Sequence, residues 1–595
     1  MKKYPVQSQS YEGFETWWNQ VRMSIQMHTK IITILFCFHV LLFFLACWYK
    51  IDKASIRSAS QWLFAYIMWP TARLKFINPN GTIVYAPAQR IAACAPLRTY
   101  SIYIFHTMRN IFFWCSSVYI FYIPTWMFFH DKAKYQSDRR HIRGSRLSTI
   151  QEFNYEVKKR KDEPGLHIGS VRMPKSLEPR HTFIIGGPGA GKTNCAAQII
   201  EDLKKRNAQA IIYDFKGDYL RRFYDEEKDI IFNPLDARSV GWNLFNEIET
   251  PMDIDAMATS LIPHSISQMD TFFPDAARDV FAGILHYLYS ENQTNNKHIW
   301  DIVTSKAEYV LEKLQSIDEG KGAAKHIELP GSTQALGVFG TLMEYAKGLK
   351  YMSQIDGPFK IKDWLQNGKG MIYITNYSII QEALRPILSL FVDLLGRQVL
   401  SLSESTERRI FFFLDEFGTL QRLPTIVKLL TMARSKGGCV FIGIQDYGQI
   451  DQTYSVNHRQ SIINACGNKI MFNVDDPISA RISTDILSET EYIEMNKTRS
   501  MGVNDNRDGT SLAERTKRES LFLPAELMKL TDLTAIVRFK SYDPLISTFK
   551  YKIYPDKAPV FVMRENLLLK PTPKVEKVEK SSPAGEEESI SQAVC

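Results

Sequence analysis

An α/β fold behind a two-helix transmembrane anchor is what this sequence predicts, and three observations predict it. Two uncharged apolar runs, at 31–48 and 111–129, stand within the first 130 residues. A glycine-rich loop, Gly186-Gly187-Pro188-Gly189-Ala190-Gly191-Lys192-Thr193, separates a strand pattern from a helix pattern. Further on, the apolar run Ile410-Phe411-Phe412-Phe413-Leu414 ends in Asp415-Glu416. At 595 residues the chain exceeds one simple domain, and its 45% hydrophobic and 23% charged content is ordinary for a globular protein.

Each run of the anchor is long enough for a helix to span a hydrocarbon core, given aromatic ends. Lys30 and Lys50 bracket the first run, and Arg109 and Asp131 the second. A pair of buried core helices is the plainer alternative; richness in aromatics and the charged ends argue against it. His39 is a polar defect in the first helix and Pro124 a candidate kink in the second, each facing the partner helix or another subunit. The polar lead over 1–30 and the weak cleavage context at Phe44-Leu45-Ala46-Cys47 argue against a removed signal. Two spans place both termini on one side and a loop at about 51–109 on the other. The basic stretch Lys132, Lys134, Arg139, Arg140, Arg143 and Arg146 follows the second span, as a cytoplasmic flank does. Because ATP is cytoplasmic, the glycine-rich loop puts that side in the cytoplasm.

The loop is a complete phosphate-binding motif in its required context. His181-Thr182-Phe183-Ile184-Ile185 reads as a buried strand before it, and Ala196, Ile199, Ile200 and Leu203 repeat at helical spacing after it. Glycines let successive N–H groups turn towards phosphate oxygens at a helix N-terminus. Lys192 is expected to reach the β- and γ-phosphates of ATP, and Thr193 to ligate Mg²⁺. The partner motif is the strand ending in Asp415-Glu416: Asp415 holds Mg²⁺ through water and Glu416 polarises the attacking water. An apolar run ending in Asp-Glu is common by itself, and its weight comes from the loop upstream.

Cys439-Val440-Phe441-Ile442-Gly443-Ile444 is another strand pattern with Gln445 at its end. Gln445 is either a γ-phosphate sensor or a surface glutamine ending a strand. Arg434 is either a cation at a helix C-terminus or, in a ring, a finger reaching a neighbour's ATP. Asp214-Phe215-Lys216-Gly217-Asp218 follows the strand Ala210-Ile211-Ile212-Tyr213, where parallel sheets bind ligands, or is an ordinary strand-to-loop passage. The eight cysteines lack metal-ligand spacing, so zinc and a disulfide framework are not expected. The net charge of +9 mildly favours nucleic acid or anionic membrane, and a solvated surface accounts for it as well. No His-Glu-x-x-His site suggests a membrane protease, and two spans with no Leu-Ser-Gly-Gly signature disfavour an ABC transporter.

Together these residues resemble the type IV secretion coupling proteins, the TraD-like conjugative DNA translocases. The resemblance rests on the paired anchor, Arg143-Gly144, the phosphate loop and Asp214-Phe215-Lys216-Gly217-Asp218. Asn233-Pro234-Leu235-Asp236-Ala237-Arg238, Trp242-Asn243-Leu244-Phe245, Leu414-Asp415-Glu416-Phe417 and Gly443-Ile444-Gln445 complete it, over about 30–560. It implies a RecA-like P-loop motor domain, at 131–249 and 356–568, interrupted by an inserted all-α domain at 250–355. It implies a bacterial inner-membrane homohexamer with a cytoplasmic motor, pumping single-stranded DNA. The implied partners are DNA, the relaxase and relaxosome proteins, and the secretion channel. The alternative is a receptor ATPase that selects protein substrates. The Pro-, Lys-, Glu- and Ser-rich stretch 569–595 reads as disordered and departs from the long acidic tail of some relatives.

Overall fold

The computed structural model describes residues 6–77, 81–137, 140–265, 271–500 and 509–567. The expected tail at 569–595 lies outside them. The chain divides into two compact units, Met1–Arg140 with Ile493–Thr516, and His141–Tyr492 with Lys517–Cys595.

The first unit opens with one continuous helix, Val6–Lys50. Its 26-residue portion Ile25–Lys50 is about 39 Å long at ~1.5 Å per residue, more than a hydrocarbon core requires. From Val6 onwards the stretch expected as an N-terminal tail is helical, and the helix runs unbroken into the candidate span. Charge opposes burial in hydrocarbon but not the helical backbone, so Arg22 and Lys30 do not end the helix.

The second candidate span, Ala95–Asp131, starts well before residue 111. Arg98 and Arg109 shorten the uncharged window without interrupting the helix Ala95–Cys115. A 3₁₀ turn, Ser116–Phe121, then leads into the helix Tyr122–Ser137. Pro124 accounts for the change, because it has no N–H for the Ile120 carbonyl and its ring crowds that oxygen. His39 is buried beside this second helix, with ring centroids 5.0 Å from Phe112 and 5.6 Å from Tyr119.

The stretch expected as a loop at 51–109 is largely folded. It forms the helix Lys53–Ile67, the antiparallel pair Arg73–Ile77 and Ile83–Pro87, and the short helix Ala88–Ala92. Asp52 caps the first of these helices, accepting from the Ser55 N–H at 2.6 Å. Ala65, Ile91 and Leu97 make its small core.

The second unit is organised by a nine-stranded sheet. In chain order its strands are β1 Thr182–Ile185, β2 Gln209–Asp214, β3 Ile230–Phe232, β4 Met371–Thr375, β5 Ile410–Leu414, β6 Gly438–Ile444, β7 Asn468–Met471, β8 Thr534–Arg538 and β9 Leu545–Thr548. In space the order is β9-β8-β7-β1-β6-β5-β2-β4-β3. The seven strands from β7 to β3 are parallel, and β8 and β9 add an antiparallel edge.

Both faces of the sheet are buried, which explains continuous apolar strands where alternation would mark a half-exposed sheet. On β5, Ile410, Phe412 and Leu414 enter one core while Phe411 and Phe413 enter the other. Between β3 and β4 the described chain from 251 to 352 is helical, without a strand. Its longest helix, Phe272–Ser290, sends Val280, Phe281 and Ile284 into the same core as one sheet face. These helices, over the stretch expected as an inserted all-α domain at 250–355, share one compact unit with the sheet.

Candidate nucleotide site

The loop 186–193 lies at the carboxyl end of β1, where a parallel sheet receives ligands. Its glycines are a geometric requirement at two positions. Gly189 and Gly191 have φ of +78° and +116°, and a Cβ on Gly191 would come within 3.1 Å of Leu533. The helix Lys192–Lys205 begins directly after, so its N-terminus points at the loop. The Lys192 ammonium lies over the loop, donating to the carbonyls of Gly186 and, at 3.2 Å, Gly187. Burial pulls Lys192 below its ordinary value, against the attraction of Glu416 and Asp415.

Strand order brings the remaining groups to this loop. β6 lies between β1 and β5, so Gln445 at its end falls between the phosphate loop and Asp415-Glu416. Gln445 Nε2 donates to Glu416 Oε1 at 2.7 Å. Glu416 is buried in a left-handed conformation at φ +51°, directly after β5. A non-glycine residue there costs on the order of 1 kcal/mol. Asp415 accepts from the Tyr219 hydroxyl at 2.7 Å. Burial pushes its carboxyl above the usual range, while that hydrogen bond and Lys192 oppose the rise. A side chain at Gly443 would bring its Cβ within 2.9 Å of Asp415 Oδ1, so glycine keeps that carboxylate its place.

A cavity of about 420 Å³ joins these parts. Its walls include Gly187, Pro188, Gly189, Gly191, Lys192 and Thr193, with Lys216, Glu416 and Gln445. A hydroxyl at Thr193 and an under-compensated carboxylate at Asp415 are hard oxygen donors of the kind Mg²⁺ takes. The donor set fits that ion.

The segment Asp214-Phe215-Lys216-Gly217-Asp218 divides in two. Lys216 lines the cavity. Asp214 is a structural group: it accepts from the N–H groups of Asp218, Tyr219 and Leu220 at 3.0, 2.8 and 2.8 Å and so holds the helix Asp218–Phe223. Burial raises its carboxyl to about 7 against those bonds, and the Asp415 charge adds to the rise. Asn233 and Asp236 are also structural. Asn233 donates to Thr375 on β4 at 3.2 Å, and Asp236 pairs with Arg238 at 2.8 Å. Trp242 is fully buried, stacked edge-on against Phe391.

Arg434 stands apart from all of this. It is exposed on the turn Ala433–Lys436 before β6, at the amino edge of the sheet, opposite the loop. There its charge bears on Arg180 and His181. Sequence reading missed several cavity neighbours: Asp532, Leu533 and Tyr551 line it, and the Asn473 carbonyl accepts from Gly187 N–H at 2.7 Å. None lies in a motif, and only the pairing of β7 and β8 beside β1 brings them near.

Comparison with known proteins agrees with this architecture. The family described as the type IV secretion-system coupling protein DNA-binding domain matches residues 165–548. The coupling protein TraD of Escherichia coli (strain K12) is 26% identical over 565 residues, 92% of this chain and 78% of TraD. The unbound monoclinic form of the conjugative coupling protein TrwBdeltaN70 superposes with a TM-score of 0.63 at 26% identity, covering 71% of this chain and 96% of that one. The plasmid coupling protein TrwB in complex with ADP and Mg²⁺ gives a TM-score of 0.61 at 25% identity, covering 72% and 98%. TrwB has also been solved with non-hydrolysable GTP and ATP analogues.

Proposed function

The chain belongs to the type IV secretion-system coupling proteins, and on that premise we propose that it is a membrane-anchored ATPase that drives single-stranded DNA, with its attached relaxase, into a secretion channel. One observation carries the reading: a single cavity gathers Lys192, Thr193, Glu416 and Gln445 around a phosphate loop. Lys192 holds the β- and γ-phosphates, and Thr193 with Asp415 holds Mg²⁺, which supplies charge neutralisation when bound. Glu416 orients and deprotonates water, and Gln445, bonded to it, reports the γ-phosphate to β6. TrwB binds ADP with Mg²⁺ and analogues of ATP and GTP, and this chain uses ATP and Mg²⁺ by similarity.

Ile25–Lys50 and Ala95–Asp131 cross the bacterial inner membrane, and the motor lies in the cytoplasm. The motor works as a homohexamer around the strand, and the helices over 251–352 help to receive the relaxosome. Arg434 then acts across a subunit boundary, on the neighbour's ATP. DNA contact is mainly with phosphates and therefore weakens with salt. Hydrolysis by the full-length protein at low salt, with and without single-stranded DNA, tests the reading. Several-fold stimulation that declines as salt rises is expected. Unstimulated turnover, with protein cargo transferred in place of plasmid DNA, would sink it in favour of a protein-substrate receptor.

A further inference from the structure

The stretch 50–109 carries a charge imbalance that the two spans alone do not explain. It holds eight lysines and arginines against a single acid, Asp52. Loop cations favour the cytoplasmic face of a membrane, whereas two spans put this stretch on the other face. Asp52 is spent on the Ser55 N–H as a helix cap. Among the described residues, none of Lys50, Lys53, Arg57 and Arg109 pairs with a carboxylate.

An apolar cavity of about 770 Å³ opens beside these cations. Phe44 and Trp48 of the first span line it, with Ile56 and Leu63 of the helix Lys53–Ile67 and Ile102 and Phe105 of the helix Ala95–Cys115. Ring contacts set its depth. Phe43 meets Phe112 at 6.2 Å between centroids, and the cavity occupies the two turns beyond that level, where Ile25–Lys50 ends. Trp48 and Tyr49 are 80% and 92% exposed there, as aromatics at a hydrocarbon boundary are. The lining hydroxyls of Ser60 and Ser101 are spent on the Arg57 and Leu97 carbonyls, at 2.9 and 3.1 Å. His106 adds an imidazole to walls that are otherwise mostly apolar.

The cations are placed against these walls. The Lys53 ammonium lies 5.8 Å from the centroid of the Trp48 ring. Arg57 follows one turn later on the same helix, so Lys53, Arg57 and Ser60 share a stripe that reaches the cavity. Like charges at that spacing repel, and an anion between them removes the repulsion.

We infer that this cavity holds an acyl chain of an anionic phospholipid, whose phosphate is bound by Lys53 and Arg57. The inference rests on the reading of Ile25–Lys50 and Ala95–Asp131 as membrane spans. The walls bury the chain, and the two cations supply a headgroup selectivity that apolar walls lack. A zwitterionic lipid brings its own ammonium against the same cations and is held less well. An apolar helix from a second copy would fill the same walls but leave both cations without an anion, which favours lipid.

The test is native mass spectrometry of the full-length protein in mild detergent with equimolar phosphatidylglycerol and phosphatidylethanolamine. The wild type should retain phosphatidylglycerol in preference. The double variant Lys53→Gln with Arg57→Gln should lower that retention about tenfold or more. Ala59→Phe, which fills the cavity and keeps both charges, should lower it as well. Equal retention of the two lipids by the wild type, or unchanged retention in either variant, overturns the site. So does a disulfide between two chains that Cys47→Ser abolishes and phosphatidylglycerol does not compete, because it places a second copy in the cavity. Release of the wild type from membranes by alkaline carbonate would show that the spans do not cross, and both readings fall. If the protein resists carbonate but shows no lipid preference, only the lipid site falls.

Discussion

The two edges of the central sheet carry opposite chemistry. The carboxyl edge gathers glycines, Lys192, Thr193, Glu416 and Gln445 around one cavity, with Asp415 directly before Glu416. The amino edge gathers Arg180, Arg206, Arg409 and Arg434 with the buried Glu178, which pairs with Arg206 at 2.7 Å. Burial and the charge of Arg434 together lower Arg180. One chain thus has its phosphate loop at one edge and its exposed arginine at the other. Arg434 therefore lies away from the nucleotide cavity of its own chain.

Emptying the carboxyl edge should have the largest effect. Lys192→Ala is expected to reduce hydrolysis by about 10³-fold or more, with membrane insertion intact by fractionation. Glu416→Gln should retain ATP in a filter-binding assay while kcat falls by about 10²–10⁴-fold. Turnover near wild type in either variant would remove that residue from its role.

The amino edge is probed by mixing subunits. Arg434→Ala alone should lose about 10²-fold or more in kcat if it acts as an arginine finger. Rings that combine Arg434→Ala with Lys192→Ala subunits should recover part of the ATPase, because an intact loop then meets a neighbour's intact arginine. No recovery would break the contrast between the edges.

A smaller effect is expected at Gly443. The new Cβ of Gly443→Ala crowds Asp415 Oδ1. Turnover should fall about tenfold, and the Mg²⁺ concentration for half-maximal activity should rise. Equal Mg²⁺ titrations would show that Asp415 tolerates displacement.

The smallest effect separates the edges by pH. Burial, aided by the Arg434 charge, lowers His181 to about 4, while burial raises Asp214 to about 7. Between about 4 and 6.5 the unfolded chain holds more protons at His181 than the folded one, so its contribution to stability grows with pH. Between 3.8 and about 7 the folded chain holds more at Asp214, so its contribution declines as pH rises. Across pH 4–7 the two contributions therefore oppose each other in nearly the same window: His181→Asn should remove a gain in melting temperature as pH rises, and Asp214→Asn should remove a decline. Parallel profiles in the two variants would refute the assignment.

The legible part of this molecule is the part written in contiguous residues. A phosphate loop is a statement about local backbone: glycines where φ must be positive, then a helix start, then Lys192 and Thr193. A central strand ending in Asp415-Glu416 is equally local, as are the apolar runs of the anchor. The helices extend beyond these runs because a charge window is not a helix boundary: Arg98 and Arg109 lie within a helix that begins at Ala95. The stretch 51–109 read as a loop because the core of Ala65, Ile91 and Leu97 is too small and too spread out to leave a periodic signal.

The sequence by itself determined the chemistry on offer, namely a phosphate cradle, a carboxylate pair and a pair of apolar helices. Tertiary structure alone decided who meets whom. Gln445 reaches Glu416 because β6 is inserted between β1 and β5, an order that strand patterns do not encode. Asp214 became a helix cap because burial surrounds it with three N–H donors. Leu533 and Tyr551 arrive from the far end of the chain because β8 and β9 extend the sheet beyond β7. Arg434 lies away from the cavity because it precedes the strand that Gln445 follows. Local backbone chemistry is readable residue by residue, whereas neighbourhood across a sheet depends on long-range pairing, and only the folded chain states it.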